Sequence, residues 1–176
     1  MRFKNSNYVA YLILLALIVL SIIPMVRFFY HDSSFSGENS YYHLRASEHV
    51  NNMTVFGDQA YYGGRDYVIN ANHIVLGKIF DLIPDSSYLF IIYLILGVVS
   101  IILFYFILIR FNISPDYSFL SSVILLVSPI FIYLFSSVNK HSFPFVLNLL
   151  LLFFLLDDSK KSWLSFLFIF PISFFG

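Results

Sequence analysis

The 176-residue sequence contains no cysteine and few charged residues. Without cysteine, the chain can form neither a disulfide nor a thiolate metal site, and it has no thiol nucleophile. Charged residues make up only 11% of the chain and hydrophobic residues 59%, which leaves too little polar surface for a water-exposed soluble domain. The mean hydropathy of +0.82 agrees with this balance. The composition therefore predicts an integral membrane protein.

The sequence also lacks an excess of charge of either sign. Ten basic residues balance ten acidic ones, so neither a nucleic-acid surface nor a polybasic lipid-binding face is predicted. There is no Gly-rich phosphate loop, which argues against an enzyme that uses ATP or a nucleotide sugar. We therefore expect no nucleic-acid partner and no nucleotide cofactor.

Long apolar runs are the main feature that is present. The first covers residues 8–29, which at 1.5 Å per residue is long enough to cross a bilayer core of about 30 Å. Arg2 and Lys4 precede it and no small-residue cleavage site follows, so we interpret it as an uncleaved signal anchor with a cytoplasmic N-terminus. Further spans are predicted over residues 88–111, 117–135, 143–156 and 163–176. The sequence thus predicts an all-α, polytopic membrane bundle of about five spans.

Two details of these spans lead to further predictions. The Ser128-Pro129 pair predicts a kink or break within the third span, because proline cannot donate the helical hydrogen bond. The last span is still apolar at Gly176, so we expect residues 1–176 to form a single membrane domain at the N-terminal part of a longer protein. The localisation expected for such a chain is the cell membrane, as a multi-pass protein.

A polar segment, residues 30–87, separates the first two spans and is external in this orientation. It carries seven of the ten carboxylates and four of the five histidines. Apolar spacing within it predicts short amphipathic helices over residues 41–53 and 72–83. We expect a turn at Gly63-Gly64 to join them, because paired glycines permit positive φ, and both helices to lie against the membrane.

Ionisable groups crowd most closely in residues 36–49 of this external loop. Residues 36–40 are turn-like and can cap the first loop helix. Glu38 then lies at a helix N-terminus, where the dipole favours an anion or a carboxylate-bound cation. Helical spacing predicts two adjacent faces, Tyr41, Leu44 and Glu48 on one and Tyr42, Arg45 and His49 on the next. An interfacial amphipathic helix with aromatic anchors is the alternative interpretation.

This arrangement resembles the N-terminal part of a GT-C membrane glycosyltransferase, and most closely the catalytic subunit of oligosaccharyltransferases and its archaeal-type relatives. In that family the loop after the first span carries an Asp-x-Tyr-aromatic-x-x-Arg pattern, matched here by Asn39-Ser-Tyr41-Tyr42-His-Leu-Arg45. The tyrosines and the arginine fit, but asparagine stands at the aspartate position and the nearest carboxylate is Glu38. Tyr62-Gly-Gly-Arg65-x-Tyr67, followed by Asn72-His73, resembles the second half of the same loop.

The resemblance implies an enzyme that transfers a sugar or glycan from a polyprenyl-linked donor to a protein or glycan acceptor at the external membrane face. Such a reaction needs a base for the acceptor and positive charge on the departing phosphate. We therefore predict Glu38 and Arg45 as the catalytic residues, and substrate contacts from Tyr41, Tyr42 and Arg65. The resemblance also implies a divalent metal, Mn²⁺ or Mg²⁺, for which Glu38 and His43 are the predicted ligands.

The loop between the third and fourth predicted spans departs from the family pattern. In the family it carries an acidic pair that helps to hold the metal, whereas residues 135–142 contain no carboxylate here. Lys140 or His141 would instead pair with the donor phosphate. The alternative is a solvated hairpin tip with a basic residue near the headgroups. The missing acids also favour a different function, a non-catalytic or degenerate membrane protein that binds lipid or a partner subunit.

Overall fold

The structure, a computed structural model, describes residues 2–31, 38–51, 71–82 and 89–156. Within these ranges its regular secondary structure is all helical, with no strand. The seven helices are α1 (Arg2–His31), α2 (Glu38–Asn51), α3 (Ala71–Leu82), α4 (Leu89–Arg110), α5 (Pro115–Leu126), α6 (Pro129–Ser136) and α7 (Ser142–Leu155). The predicted all-α class is confirmed for this part of the chain.

Two helices, α1 and α4, are long and apolar enough to cross a membrane. Their candidate spans are Asn7–Tyr30, of 24 residues, and Phe90–Arg110, of 21 residues, each with a mean hydropathy of 2.9. At 1.5 Å per residue these lengths are about 36 and about 32 Å, enough for a hydrocarbon core of about 30 Å. The first two predicted spans therefore correspond to observed helices.

The third predicted span is a bent pair of helices. The axes of α5 and α6 differ by 65° across a short break. Ser128 caps α6, since its side chain accepts a hydrogen bond from the Phe131 backbone N–H at 3.3 Å, and Pro129 occupies the first turn, where its missing N–H costs nothing. The predicted break at Ser128-Pro129 is confirmed.

The predicted count of about five spans is not supported. The described part of the chain contains two helices able to cross a membrane, or three if the bent pair is one span. The fourth predicted span corresponds to α7, which is apolar but has only 14 residues. Its length of about 21 Å falls short of a bilayer core. The fifth predicted span, residues 163–176, lies outside the described residues.

Helix α4 is central to the bundle, since it packs against α1, α5, α6 and α7. At Gly97 the neighbouring helices approach it closely. A Cβ atom at this position would lie 2.4 Å from Leu20 Cδ1 and 3.1 Å from Phe135 Cβ. The buried core of the bundle consists of Leu12, Ala16, Leu20, Ile101, Tyr105, Leu126, Phe131, Phe135 and Val146.

Helices α2 and α3 pack against each other and against one end of the bundle. A second, smaller apolar cluster joins them to it: Leu44, Leu76, Tyr93 and Val138. The two predicted loop helices are thus confirmed, with α2 starting at Glu38 rather than Tyr41 and α3 displaced by one residue. The predicted Gly63-Gly64 turn lies outside the described residues.

Candidate functional site

The candidate site lies where α2 meets the segment between α6 and α7. The Ser40 hydroxyl oxygen accepts a hydrogen bond from the Val138 backbone N–H at 3.1 Å, although the two residues are 98 positions apart in sequence. Both residues are buried. This contact places the first turn of α2, which begins at Glu38, beside the segment that carries Lys140 and His141.

The segment between α6 and α7 is held in place by its own polar side chains. Ser142 Oγ donates to the Leu134 carbonyl at 2.7 Å, and Ser137 Oγ donates to the Tyr133 carbonyl at the same distance. The His141 backbone N–H donates to Asn139 Oδ1 at 3.0 Å. These short-range bonds satisfy polar groups near two helix ends. They leave Lys140 and His141 exposed at the tip.

The buried face of α2 differs from the two faces that the sequence analysis singled out. It is formed at helical i, i+3, i+4 and i+7 spacing by Ser40, His43, Leu44 and Ser47. Tyr41, expected to share a face with Leu44, is 42% exposed, whereas Leu44 is buried. Ser40 and Ser47 were not predicted. The sequence does contain a sign of this face. Ser40 and Ser47 are small residues that lie one helical turn before and one helical turn after His43 and Leu44.

A pair of buried histidines connects α2 to α3. His43 Nδ1 lies 2.8 Å from His73 Nε2, which is a hydrogen-bond distance. The two residues are 8% and 1% exposed. The ring of Tyr42 meets both imidazoles edge to face, with centroid separations of 5.3 and 6.3 Å. No local sequence pattern predicts this pair, because the partners are 30 residues apart and meet only through the packing of α3 on α2.

The electrostatic surroundings of His43 keep it neutral. The pKa of His43 is lowered from 6.5 to about 4, mainly because burial desolvates the charged imidazolium and also because His73, Lys140 and His141 disfavour a positive charge beside them. At pH 7 one ring of the pair therefore donates its N–H and the other accepts. The same effect shows that Lys140 and His141 act electrostatically on α2, which the sequence alone did not establish.

The described residues do not fit a divalent metal bound through His43 Nδ1. That nitrogen is engaged with His73, and among the described side chains no group of three or more His, Asp or Glu is arranged to hold a metal. The side chain of Glu38, the other predicted ligand, lies outside the described ones. The metal therefore stays a prediction, and none of the chemistry proposed below depends on it.

The other predicted site residues are divided between α2 and residues that the structure does not describe. Tyr42 and Arg45 are half-buried on α2, and Tyr41 is exposed. Arg65 lies outside the described residues. The structure therefore brings α2 together with Lys140 and His141. The roles predicted for all of these site residues stay predictions.

At the opposite end of the bundle, polar contacts fasten the helix ends. The Tyr8 hydroxyl donates a hydrogen bond to the Asp116 carboxylate and so links α1 to α5. Arg110 Nη1 donates to the Phe153 carbonyl at 2.5 Å, and its guanidinium lies 3.7 Å from the centroid of the Phe153 ring. Both contacts tie neighbouring helices together. We assign them a structural role.

No protein-family model, curated protein or solved structure shows a significant match to this chain. The described part of the chain is helical and contains two helices able to cross a membrane, or three spans if the bent pair α5–α6 is one. The likeness to GT-C glycosyltransferases rests on the two short motifs and the arrangement of spans alone.

Proposed function

We propose that this chain forms the membrane part of a GT-C type glycosyltransferase that uses a polyprenyl-linked sugar or glycan as donor. The supporting observation is the hydrogen bond between Ser40 and Val138. It joins the loop motif after the first span to the later loop, and the resemblance assigns those two segments to one site. The proposed acceptor is a protein or a glycan at the external membrane surface.

The charges near this contact suit a phosphate leaving group. Lys140 and His141 are exposed beside α2, and Arg45 is half-buried on it. Fixed positive charge is most effective where negative charge develops on the departing oxygen. An arginine can in addition hold a phosphate or carboxylate through two parallel hydrogen bonds. These three side chains are the proposed binding groups for the donor phosphate.

In the proposed reaction, the acceptor nucleophile forms a bond to the anomeric carbon of the donor sugar. The bond from that carbon to the phosphate oxygen breaks, and its electron pair leaves with the polyprenyl phosphate or diphosphate. The acceptor proton passes to the Glu38 carboxylate, the proposed general base. Tyr41 and Tyr42 position the sugar or the lipid head, and Arg45 fixes the carboxylate or the phosphate. Residues 30–87, with Arg65, are external in this scheme, and the N-terminus is cytoplasmic.

The test compares Glu38→Gln and Arg45→Ala with wild type in membranes, using a polyprenyl-diphosphate-linked oligosaccharide and an acceptor peptide. Loss of a positioned acid or base typically lowers the rate by about 10² to 10⁴. We expect a loss in that range for Glu38→Gln. Lys78→Gln, an exposed change on α3 outside the site, is the matched control and should leave transfer unchanged. Transfer at the wild-type rate by Glu38→Gln would remove the proposed base.

The second candidate function is a non-catalytic or degenerate membrane protein that binds a lipid or a partner subunit. The observation that favours it is the absence of carboxylates from residues 135–142, where the family holds its metal. The two candidates differ in one measurable respect. Binding of polyprenyl phosphate that depends on Lys140, with no transfer by wild-type protein under any metal condition, would favour the second.

A further inference from the structure

The exposed side of α7 has no part in the proposed transfer reaction. After Ser142 the helix is apolar except at Asn148, which lies near its middle. The Asn148 side chain is exposed, as are those of Leu152 and Leu155, whereas the other residues of α7 are buried or half-buried. The exposed side of the helix is therefore one narrow row of an amide and two leucines, which we call the Asn148 stripe.

Contacts near both ends of α7 show where Asn148 lies along the bundle. The Ser142 hydroxyl donates to the Leu134 carbonyl near the end of the bundle that carries α2. The Phe153 carbonyl accepts a hydrogen bond from Arg110 at the other end. Asn148 is six residues from Ser142 and five from Phe153, which is about 9 and about 8 Å along the helix. It thus lies between the two ends, on a helix that packs against the candidate membrane span of α4.

A carboxamide at that depth needs a hydrogen-bonding partner. Hydrocarbon offers neither donors nor acceptors, so an amide placed there loses the hydrogen bonds that it makes with water. A lysine or arginine can extend its charged end to the headgroups, but the asparagine side chain is too short to do so. Within the described part of the chain, the Asn148 amide makes no hydrogen bond. Its partner is therefore expected on a second molecule.

The spacing of the Asn148 stripe suits contact with another helix. Asn148, Leu152 and Leu155 follow one another at intervals of four and three residues. This alternation keeps one side of a helix facing a second helix along their common length. Leucines then supply apolar contact, and an asparagine among them can hydrogen-bond across the helix pair, as polar side chains do between membrane helices.

We propose that the Asn148 stripe is the contact surface between two copies of this chain, which form a dimer in the membrane through their α7 helices. Two copies inserted in the same direction have Asn148 at the same depth, so a two-fold axis along the membrane normal brings the residue opposite itself. A carboxamide carries both N–H donors and a carbonyl acceptor, so two of them can exchange hydrogen bonds. A second copy thus supplies a matching group at the required depth. This pairing does not depend on whether the chain catalyses transfer.

Counting the copies of the chain per complex in vesicles tests the pairing. We expect single-molecule photobleaching of the labelled wild-type chain to show a change from monomers to dimers as the protein-to-lipid ratio rises. Asn148→Leu should raise the dissociation constant of the dimer about tenfold, because hydrogen bonds between membrane helices contribute about that much. The change removes an exposed amide from an apolar helix, so the monomer should still fold. Wild-type monomers at every ratio, or an equally strong Asn148→Leu dimer, would overturn the proposal.

Two matched variants separate the effect of the amide from that of any change on the lipid-facing surface. Asn148→Gln keeps an amide with the same donors and acceptor, and it should retain most of the dimerisation. Ile124→Leu changes an exposed residue of α5 and should leave the dissociation constant as it is in wild type. Equal weakening by Ile124→Leu and Asn148→Leu would contradict a specific role for the Asn148 stripe.

Cross-linking in membranes locates the contact without a substitution at Asn148. Because the chain has no cysteine, Leu152→Cys places a single thiol per copy in the Asn148 stripe. Copper phenanthroline and oxygen should oxidise two such thiols to a disulfide that joins the copies, since the two-fold axis brings equivalent positions together. Leu14→Cys, an exposed position of α1, is the control and should stay largely unlinked. Equal linking at both positions, or linking of Leu14→Cys alone, contradicts the proposal.

Discussion

Lys140 and His141 illustrate how single residues give the candidate site its character. Both are exposed, yet both act electrostatically on the buried His43 from a different part of the chain. The serines around them, Ser137 and Ser142, instead donate hydrogen bonds to backbone carbonyls. Lys140 therefore gives the proposed phosphate site an exposed positive charge.

Replacing Lys140 by alanine should weaken the binding of polyprenyl phosphate in vesicles by about tenfold. The reason is the loss of one charge-assisted contact to phosphate, worth roughly 1.5 to 3 kcal/mol, part of which the remaining cations recover. Co-flotation with vesicles that contain the lipid phosphate measures the effect. Lys78→Ala removes an exposed lysine from α3 and should bind as wild type does. Equal weakening by both variants would indicate nonspecific attraction to the anionic surface.

At the scale of helices, close packing at Gly97 determines how α1, α4 and α6 meet. The space that a Cβ would need is occupied by the end of the Leu20 side chain and by Phe135. Leu20 is flexible at its end and can move, but Phe135 Cβ is fixed by the backbone of α6. A glycine is therefore required here for the approach of three helices and not for an unusual backbone angle.

Gly97→Val should destabilise the folded bundle by about 1 to 3 kcal/mol, because overpacking in a close-packed interior costs that much. Gly97→Ala should cost less, since the higher helix propensity of alanine offsets part of the strain. Thermal unfolding in detergent measures both. Ile95→Val, on an exposed position of the same helix, is the control and should shift the midpoint little. A Gly97→Val variant as stable as wild type would show that the helices are not packed so closely.

The helices were largely predictable from the sequence, and the contacts between them were not. Long apolar runs predict α1 and α4 because span length follows from bilayer thickness. Ser128-Pro129 predicts the break between α5 and α6 through local backbone chemistry. The His43–His73 pair, in contrast, depends on how α2 packs on α3, which no local pattern encodes. The predicted count of about five membrane spans is not supported in the described residues, because α7 is apolar but too short to cross a bilayer core.

At the scale of the whole bundle, its two ends carry different polar contacts. One end carries α2, α3 and the candidate site, while the other carries Tyr8, Asp116 and the Arg110 contact to α7. Helix α4 runs between them, with Tyr93 near the first end and Arg110 at the second. These two residues are separated by about 26 Å along the helix at 1.5 Å per residue. That distance approaches the thickness of a hydrocarbon core, so the two ends are expected at opposite membrane faces.

Cysteine labelling of intact cells tests both the crossing and its direction. Tyr41→Cys on α2 and Ser114→Cys before α5 are exposed positions in a chain without native cysteine, and the Ser114 side chain makes no capping hydrogen bond that the change would remove. Arg2 and Lys4 stand at the start of α1 and Arg110 at the end of α4, so the positive-inside rule predicts that the Ser114 end is cytoplasmic. A membrane-impermeant maleimide should therefore label Tyr41→Cys in intact cells and Ser114→Cys only after permeabilisation.

Two other labelling patterns would contradict the crossing of α4 or its direction. Labelling of both positions from outside would show that α4 does not cross the membrane. The reversed pattern would place α2, α3 and Lys140 in the cytoplasm. An external donor and acceptor could then not reach the candidate site, and the proposed transfer at the external face would be wrong.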